Sequence, residues 1–260
     1  MREYLSELWQ HRDLTLSFAL RDIKARYKQT ALGAAWAVLQ PLSLMVVFTL
    51  VFSRFARVSS DGVPYPIFSY TALIFWSFFS VTVSQGTVAI TANASLVRKI
   101  YFPRETLLIS IIISAAMDLA IAAVIFAGML AYYRISLTWA IVWLPVVLMV
   151  QTVFALGVIC VSSAVQAYYR DVGHALPLFL QMWMFATPVA YPLSAVPDGL
   201  LPFYVLNPMT PVIDGYRRVI LHGQPPDLVS LSTAASVTLV LIVLGYSVFK
   251  RAERTFADVI

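Results

Sequence analysis

The chain has 260 residues, 60% of them hydrophobic and 12% charged, with a mean hydropathy of +0.80. A soluble domain carries about 25% charged residues, so this composition cannot cover a globular surface. It predicts an all-α polytopic membrane protein, and the formal net charge of +5 then speaks to membrane topology before nucleic acid.

In chain order, residues 1–30 place Leu16, Leu20, Ile23 and Tyr27 at helical spacing, with Arg21, Lys24 and Lys28 on a different face. That pattern predicts a basic amphipathic helix lying in the inner membrane interface. The charged start lacks an early apolar core, so no cleaved signal is expected. Apolar runs bounded by charge then predict six spans, at about residues 31–52, 67–95, 106–133, 137–166, 176–191 and 228–249. The fifth is short and interrupted by proline. Residues 191–227 carry Pro192, Pro197, Pro202, Pro208, Pro211, Pro225 and Pro226, yet remain strongly apolar. Their segments are too short to span, and they predict re-entrant half-helices at the outer face before the last span. The whole chain, 1–260, reads as one transmembrane domain: an interfacial helix to residue 30, a bundle over 31–249, and a tail over 250–260.

Six spans put both termini on one side, and the positive-inside rule orients them. With the termini in the cytoplasm, thirteen Lys and Arg lie inside, while Arg54, Arg57, Arg134, Arg217 and Arg218 lie outside. The stretch "LVRKIYFPRE", Leu96 to Glu105, then faces the cytoplasm. Arg and aromatic residues are frequent anchors at protein interfaces, so it fits docking into a cytoplasmic partner. A plain topology anchor is the competing reading. Pro103 suits both, because it ends one helix and can start the next.

Catalytic chemistry is not evident. His11, His174 and His222 share no metal-ligand spacing, Cys160 sits alone in an apolar run, and no Gly-rich phosphate loop occurs. Asp118 stands alone in mid-span, with Gln151 and Gln166 the long polar side chains of the next span. It reads as a structural carboxyl or as a group on a substrate path. A membrane-embedded glycosyl- or phosphotransferase would need clustered carboxylates to hold a metal and a pyrophosphate, which the short loops lack. A secondary transporter would show paired broken spans in two halves, and none is apparent. A transporter without its own energy source needs a partner.

Four stretches carry a family resemblance: "RDIKARYKQTALGAAWAVLQP" (21–41), "LVRKIYFPRE" (96–105), "YYRDVGHALPLFLQMWMFATPVAYP" (168–192) and "LNPMTPVIDGYRRVIL" (206–221). Together they resemble the membrane permeases of type-2 ABC exporters, specifically those for O-antigen, teichoic acid and capsule polysaccharide. The resemblance implies a multi-pass homodimer in the bacterial cytoplasmic membrane, driven by two ATPase subunits that bind the ATP and magnesium. It implies a lipid-linked polysaccharide as substrate, no cofactor on this chain, and no nucleic-acid partner. It further implies that Arg98, Lys99, Ile100, Tyr101, Phe102, Pro103 and Arg104 face the ATPase, with the N-terminal helix beside them. Arg170 and Asp171 match the second cytoplasmic loop, and the Pro-rich half-helices match the external gate. A drug or small-lipid exporter is the nearest competitor within the class.

A sliding polymer would suit aromatic walls, and the candidates are Trp36, Phe48 and Phe52 in the first span with Trp183, Phe185 and Tyr191 in the fifth. Aromatics also face lipid. Phe48 and Phe52, four residues apart, are expected on one helix face.

Overall fold

A computed structural model describes residues 11–28 and 33–260. It is all-α among those residues. The helices are α1 (Arg12–Lys28), α2 (Trp36–Phe48), α3 (Tyr65–Ala92), α4 (Ala94–Lys99), α5 (Glu105–Tyr132), α6 (Leu144–Tyr168), α7 (Val172–Phe185), α8 (Leu201–Leu206), α9 (Met209–Ile220), α10 (Leu228–Glu253) and α11 (Phe256–Val259). The first ten residues, and the expected start of the first span near Ala31, lie outside the described residues.

Among the described residues, five helices are long and apolar enough to cross a membrane: α2 continued to Phe55, α3, α5, α6 with its lead-in from Trp139, and α10. The remaining expected crossing, the fifth in chain order, is α7, at 14 residues. At 1.5 Å per residue it reaches about 21 Å, short of the roughly 30 Å hydrocarbon core. The chain then turns through residues 186–192, and the half-helices α8 and α9 follow.

Local chemistry sets these boundaries. Pro66, Pro145 and Pro202 stand in the first turns of α3, α6 and α8, where a missing N–H costs nothing. Asp227 caps α10 by accepting from the Ser230 amide and hydroxyl. In α2, Pro41 lies inside the helix, and the Thr49 hydroxyl donates to the Met45 carbonyl at 2.7 Å. From Thr49 the helix widens into a π-helical stretch to Phe55. Side-chain bonds to the preceding turn loosen a helix in this way.

The hub is α3, packed against α2, α5, α6, α7 and α9. Its Gly86 lies beneath Ile159, where a Cβ would come within 2.7 Å of the isoleucine side chain. The tightest pair is α6 with α10, where Gly157 and Gly245 meet; a Cβ on Gly245 would lie 2.7 Å from the Gly157 carbonyl oxygen. Small residues let two membrane helices approach closely.

Part of α1 and the C-terminal segment sit at one end of the bundle. Phe18 of α1 meets Phe102 with ring centroids 5.8 Å apart. The last turn of α10 meets the first turn of α5, since Lys250 Nζ lies 2.5 Å from Glu105 Oε1. This is the basic end.

Two elements gain detail that the sequence did not supply. Arg217, counted among the outside charges, lies in the half-helix α9, which folds back into the bundle and buries it. Its guanidinium donates to the carbonyls of Pro188, Val189 and Tyr191 and lies 3.6 Å from the Phe68 ring centroid. It thereby satisfies carbonyls that the broken end of α7 leaves free. Next to it, Tyr216 stacks on Phe75 at 3.5 Å and donates to Gln151. The second element is α1, whose apolar stripe is shared between the bundle and the open surface. Phe18, Ala19, Ile23, Arg26 and Tyr27 face the bundle, whereas Leu16 and Leu20 point away and are exposed. The packed face therefore runs through only half of the expected apolar stripe.

Candidate functional site

The exposed surface of the basic end is built around the turn between α4 and α5. The helix stops because Ile100 adopts an extended conformation and Pro103, two residues before Glu105, cannot continue the ladder. The turn projects Arg98, Lys99, Ile100 and Tyr101 outward; Tyr101 is 82% exposed. The Arg104 guanidinium stacks 5.4 Å from the Tyr101 ring. Phe102 and Pro103 are buried beneath. The sequence reading set all seven residues on one docking surface, and the fold divides them. Phe102 seats the loop on Phe18 of α1, so its apolar ring is spent internally.

A second exposed turn lies between α6 and α7 and consists of Tyr168, Tyr169, Arg170 and Asp171. Tyr168 shares a 2.5 Å hydrogen bond with Thr255, which places this turn at the same end.

Asp118 does not stand alone. Thirteen residues into α5, it pairs with the Arg26 guanidinium and accepts from the Tyr27 hydroxyl, while Arg26 also donates to Gln85 of α3. Burial first, and the Asp118 carboxylate next, push the Tyr27 phenol up to about 12, so it remains a donor near neutral pH. A carboxylate in an apolar span calls for such a partner. That call was the sequence signal available; the cation's identity, 92 residues away, was not. Beside the cluster is a cavity of about 270 Å³, lined by Trp36, Gln40, Pro41, Ile74 and Phe78 as well as the charged groups.

The six aromatic candidates also separate. Trp36 and Phe185 are exposed, and Phe52 is half-buried. Phe48 is buried between Phe52 at 5.4 Å and Phe185 at 6.2 Å. Phe48 and Phe52 thus touch, as expected, but only one retains open surface. Trp183 packs against Trp76, Phe79, Phe154 and Phe179, and its indole donates to Asn207. Tyr191 donates to the Phe185 carbonyl and bonds Tyr204. Both are internal ties. Sequence reasoning missed Phe179, which with Leu178, Met182 and Phe185 forms the exposed face of α7; the i, i+4, i+7 spacing of 178, 182 and 185 was its signal.

Comparison with known proteins decides the family. The family model for the ABC-2 type transporter matches residues 14–221, from α1 through α9. The chain belongs to the ABC-2 type transporter family. It is 31% identical over 260 residues to the O-antigen export system permease protein RfbA of Myxococcus xanthus, covering 99% of each chain. It is 25% identical over 251 residues to RfbA of Klebsiella pneumoniae, covering 95% of each. It is also 24% identical over 248 residues to the polysialic acid transport protein KpsM of Escherichia coli, covering 90% of this chain and 91% of that one. The basic end carries two exposed turns with Tyr, Arg and Lys at their tips, on a buried floor.

Proposed function

We propose that this chain is the permease subunit of an ABC exporter that moves a lipid-linked polysaccharide, of the O-antigen or teichoic-acid kind, outward across the bacterial cytoplasmic membrane. The full-length likeness to an O-antigen export permease carries the reading. Two copies form the working permease, and two separate ATPase subunits hold ATP and magnesium. The basic end faces the cytoplasm, in line with the charge bias, so both chain ends are cytoplasmic. There Arg98, Lys99, Ile100 and Tyr101 dock the ATPase, Arg104 braces the Tyr101 ring, and Arg170 and Asp171 supply a second contact. Phe102 and Pro103 support the loop from within. The polymer passes between copies along α2 and α7, where Trp36, Phe52 and Phe185 keep open surface. Flat aromatic faces contact the apolar side of sugar rings without demanding one hydrogen-bond geometry.

The test uses proteoliposomes holding the permease with its ATPase. Tyr101→Ala is expected to cost about 2 kcal/mol of ATPase binding, roughly 30-fold in affinity, as loss of an interface anchor does, and to stop polymer export at normal permease insertion. Unchanged affinity and export would sink the docking assignment. Efflux of small drugs with no polymer movement by the unaltered complex would replace polysaccharide as the substrate.

A further inference from the structure

The segment that follows the last span is not spare. We infer that Glu105, Lys250, Glu253 and Phe256 form a brace that locks the two exposed turns of the basic end to α5 and α10, so that a push on either turn moves both helices together. This rests on the docking role proposed above for Tyr101.

The brace begins at Arg104 and Glu105, directly after the exposed loop. Lys250 Nζ bridges two carboxylates, 2.5 Å from Glu105 Oε1 and 2.8 Å from Glu253 Oε2. Tyr246 donates to the same Glu105 oxygen at 3.0 Å. Glu253 accepts the Arg104 backbone N–H at 3.3 Å, and its Oε1 lies 3.8 Å from the Arg104 guanidinium. Among the described contacts, two cations face two anions. Glu105 is buried, and the Arg104 and Glu253 side chains are only 12–13% exposed. Poorly solvated charges bind their partners more firmly than surface pairs do, and breaking one such pair leaves an uncompensated charge.

The apolar half of the brace is α11. Phe256 is fully buried against Phe249, with ring centroids 5.6 Å apart, and α11 packs on α4 and α6. Thr255 bonds Tyr168 of the second turn at 2.5 Å. Ile260 lines a cavity of about 300 Å³ with Ala94, at the start of α4, and Arg170 of the second turn. One short segment therefore touches α4, which leads into the first turn, and the second turn directly, while the charge cluster ties its root to the first turn of α5. From α10 the tie continues into α6 through the Gly157–Gly245 crossing. Such a contiguous arrangement can carry a displacement as a unit, because packed helices shift rather than deform.

These are positioning residues, so the readout is the number of polymers exported per ATP hydrolysed in proteoliposomes of the full complex. Lys250→Met should lower that ratio on the order of 10-fold, within the usual range for coupling between sites, while ATPase affinity stays unchanged. Lys250→Arg, which keeps a charge in reach of both carboxylates, should restore most of it. Phe256→Ala alters no span; it should lower the ratio as well, and it decides the matter if Lys250→Met does not insert. A normal ratio in an inserted Lys250→Met or Phe256→Ala protein overturns the brace. Failure of the docking reading would look different, as unchanged ATPase affinity in Tyr101→Ala run alongside.

Discussion

The first two spans follow one another in the chain and have opposite fates. In α3, 78% of the most apolar window is buried inside the chain; in the span that begins with α2, only 11% is. Yet both are less hydropathic than α5, α6 and α10. For α3 the low hydropathy has a simple cause. Its Thr71 and Thr87 hydroxyls bond their own helix, and its Phe75 carbonyl receives the Gln151 amide, so polar groups are satisfied by protein. In the first span Ser43 and Thr49 also bond their own helix, but the span as a whole is little buried. Gln40 and Ser43 are exposed beside Trp36. A helix turned wholly to hydrocarbon should be the most apolar of the set, and this one is not. Its open face is that of a helix meant for protein or for a polar passage, which supports the placement of the path and the second copy against α2.

The comparison can be broken at its buried side first, where the largest effect is expected. Phe79 of α3 is fully buried and meets Trp76, Phe154 and Trp183. Phe79→Ala should cost about 3–5 kcal/mol, the usual range for emptying an aromatic site, read as resistance to unfolding in detergent. Val47→Ala, on the exposed face of α2, should leave that measurement within about 0.5 kcal/mol, as surface changes do. Equal losses would mean that the two spans are not differently housed.

The aromatic candidates sharpen the same contrast at a smaller scale. Trp183→Ala should behave like Phe79→Ala, destabilising the subunit, because its ring and its indole N–H are both engaged internally. Phe52→Ala and Trp36→Ala should keep stability but reduce export of long polymer, on the order of 10-fold if each removes about 1.4 kcal/mol of transition-state contact. Wild-type export by both, at every polymer length, would move the path away from α2.

What the sequence made legible follows from how local each signal is. The second span, expected at about 67–95, is Tyr65–Ala92, and the third, expected at 106–133, is Glu105–Tyr132. Proline and charge mark those ends within a turn, and both act on neighbouring residues. The half-helices after α7 were legible for the same reason, since seven prolines leave no room for a span. The contacts that organise the site are not local. Nothing near Phe102 in the chain announces that its ring will be covered by Phe18, while Tyr101 next to it stays open. Nor does the pattern around Arg217 distinguish a loop charge from a buried one. Its partners are carbonyls of residues 188–191, and backbone acceptors leave no trace in a sequence. The exposed turn was legible as a segment; which of its faces stays open depends on where α1 packs.

The smallest expected effect serves as a control for the comparison. Asp227 opens α10, remote in sequence from α2 and α3, and accepts from the hydroxyl and amide of Ser230. The Ser230 hydroxyl is the main reason its carboxyl titrates below the usual aspartate range. Because the folded value is depressed, the contribution is full above the ordinary value of about 3.9 and fades as pH falls through the lower folded value. Asp227→Ala should therefore cost about 1 kcal/mol at neutral pH, the usual worth of an N-cap. Its stability deficit against the unaltered chain should close as the solution is acidified. Export per folded molecule should not change. If it did fall, export would be tracking stability in general, and the losses expected for Phe52→Ala and Trp36→Ala would no longer single out α2 as the wall of the path.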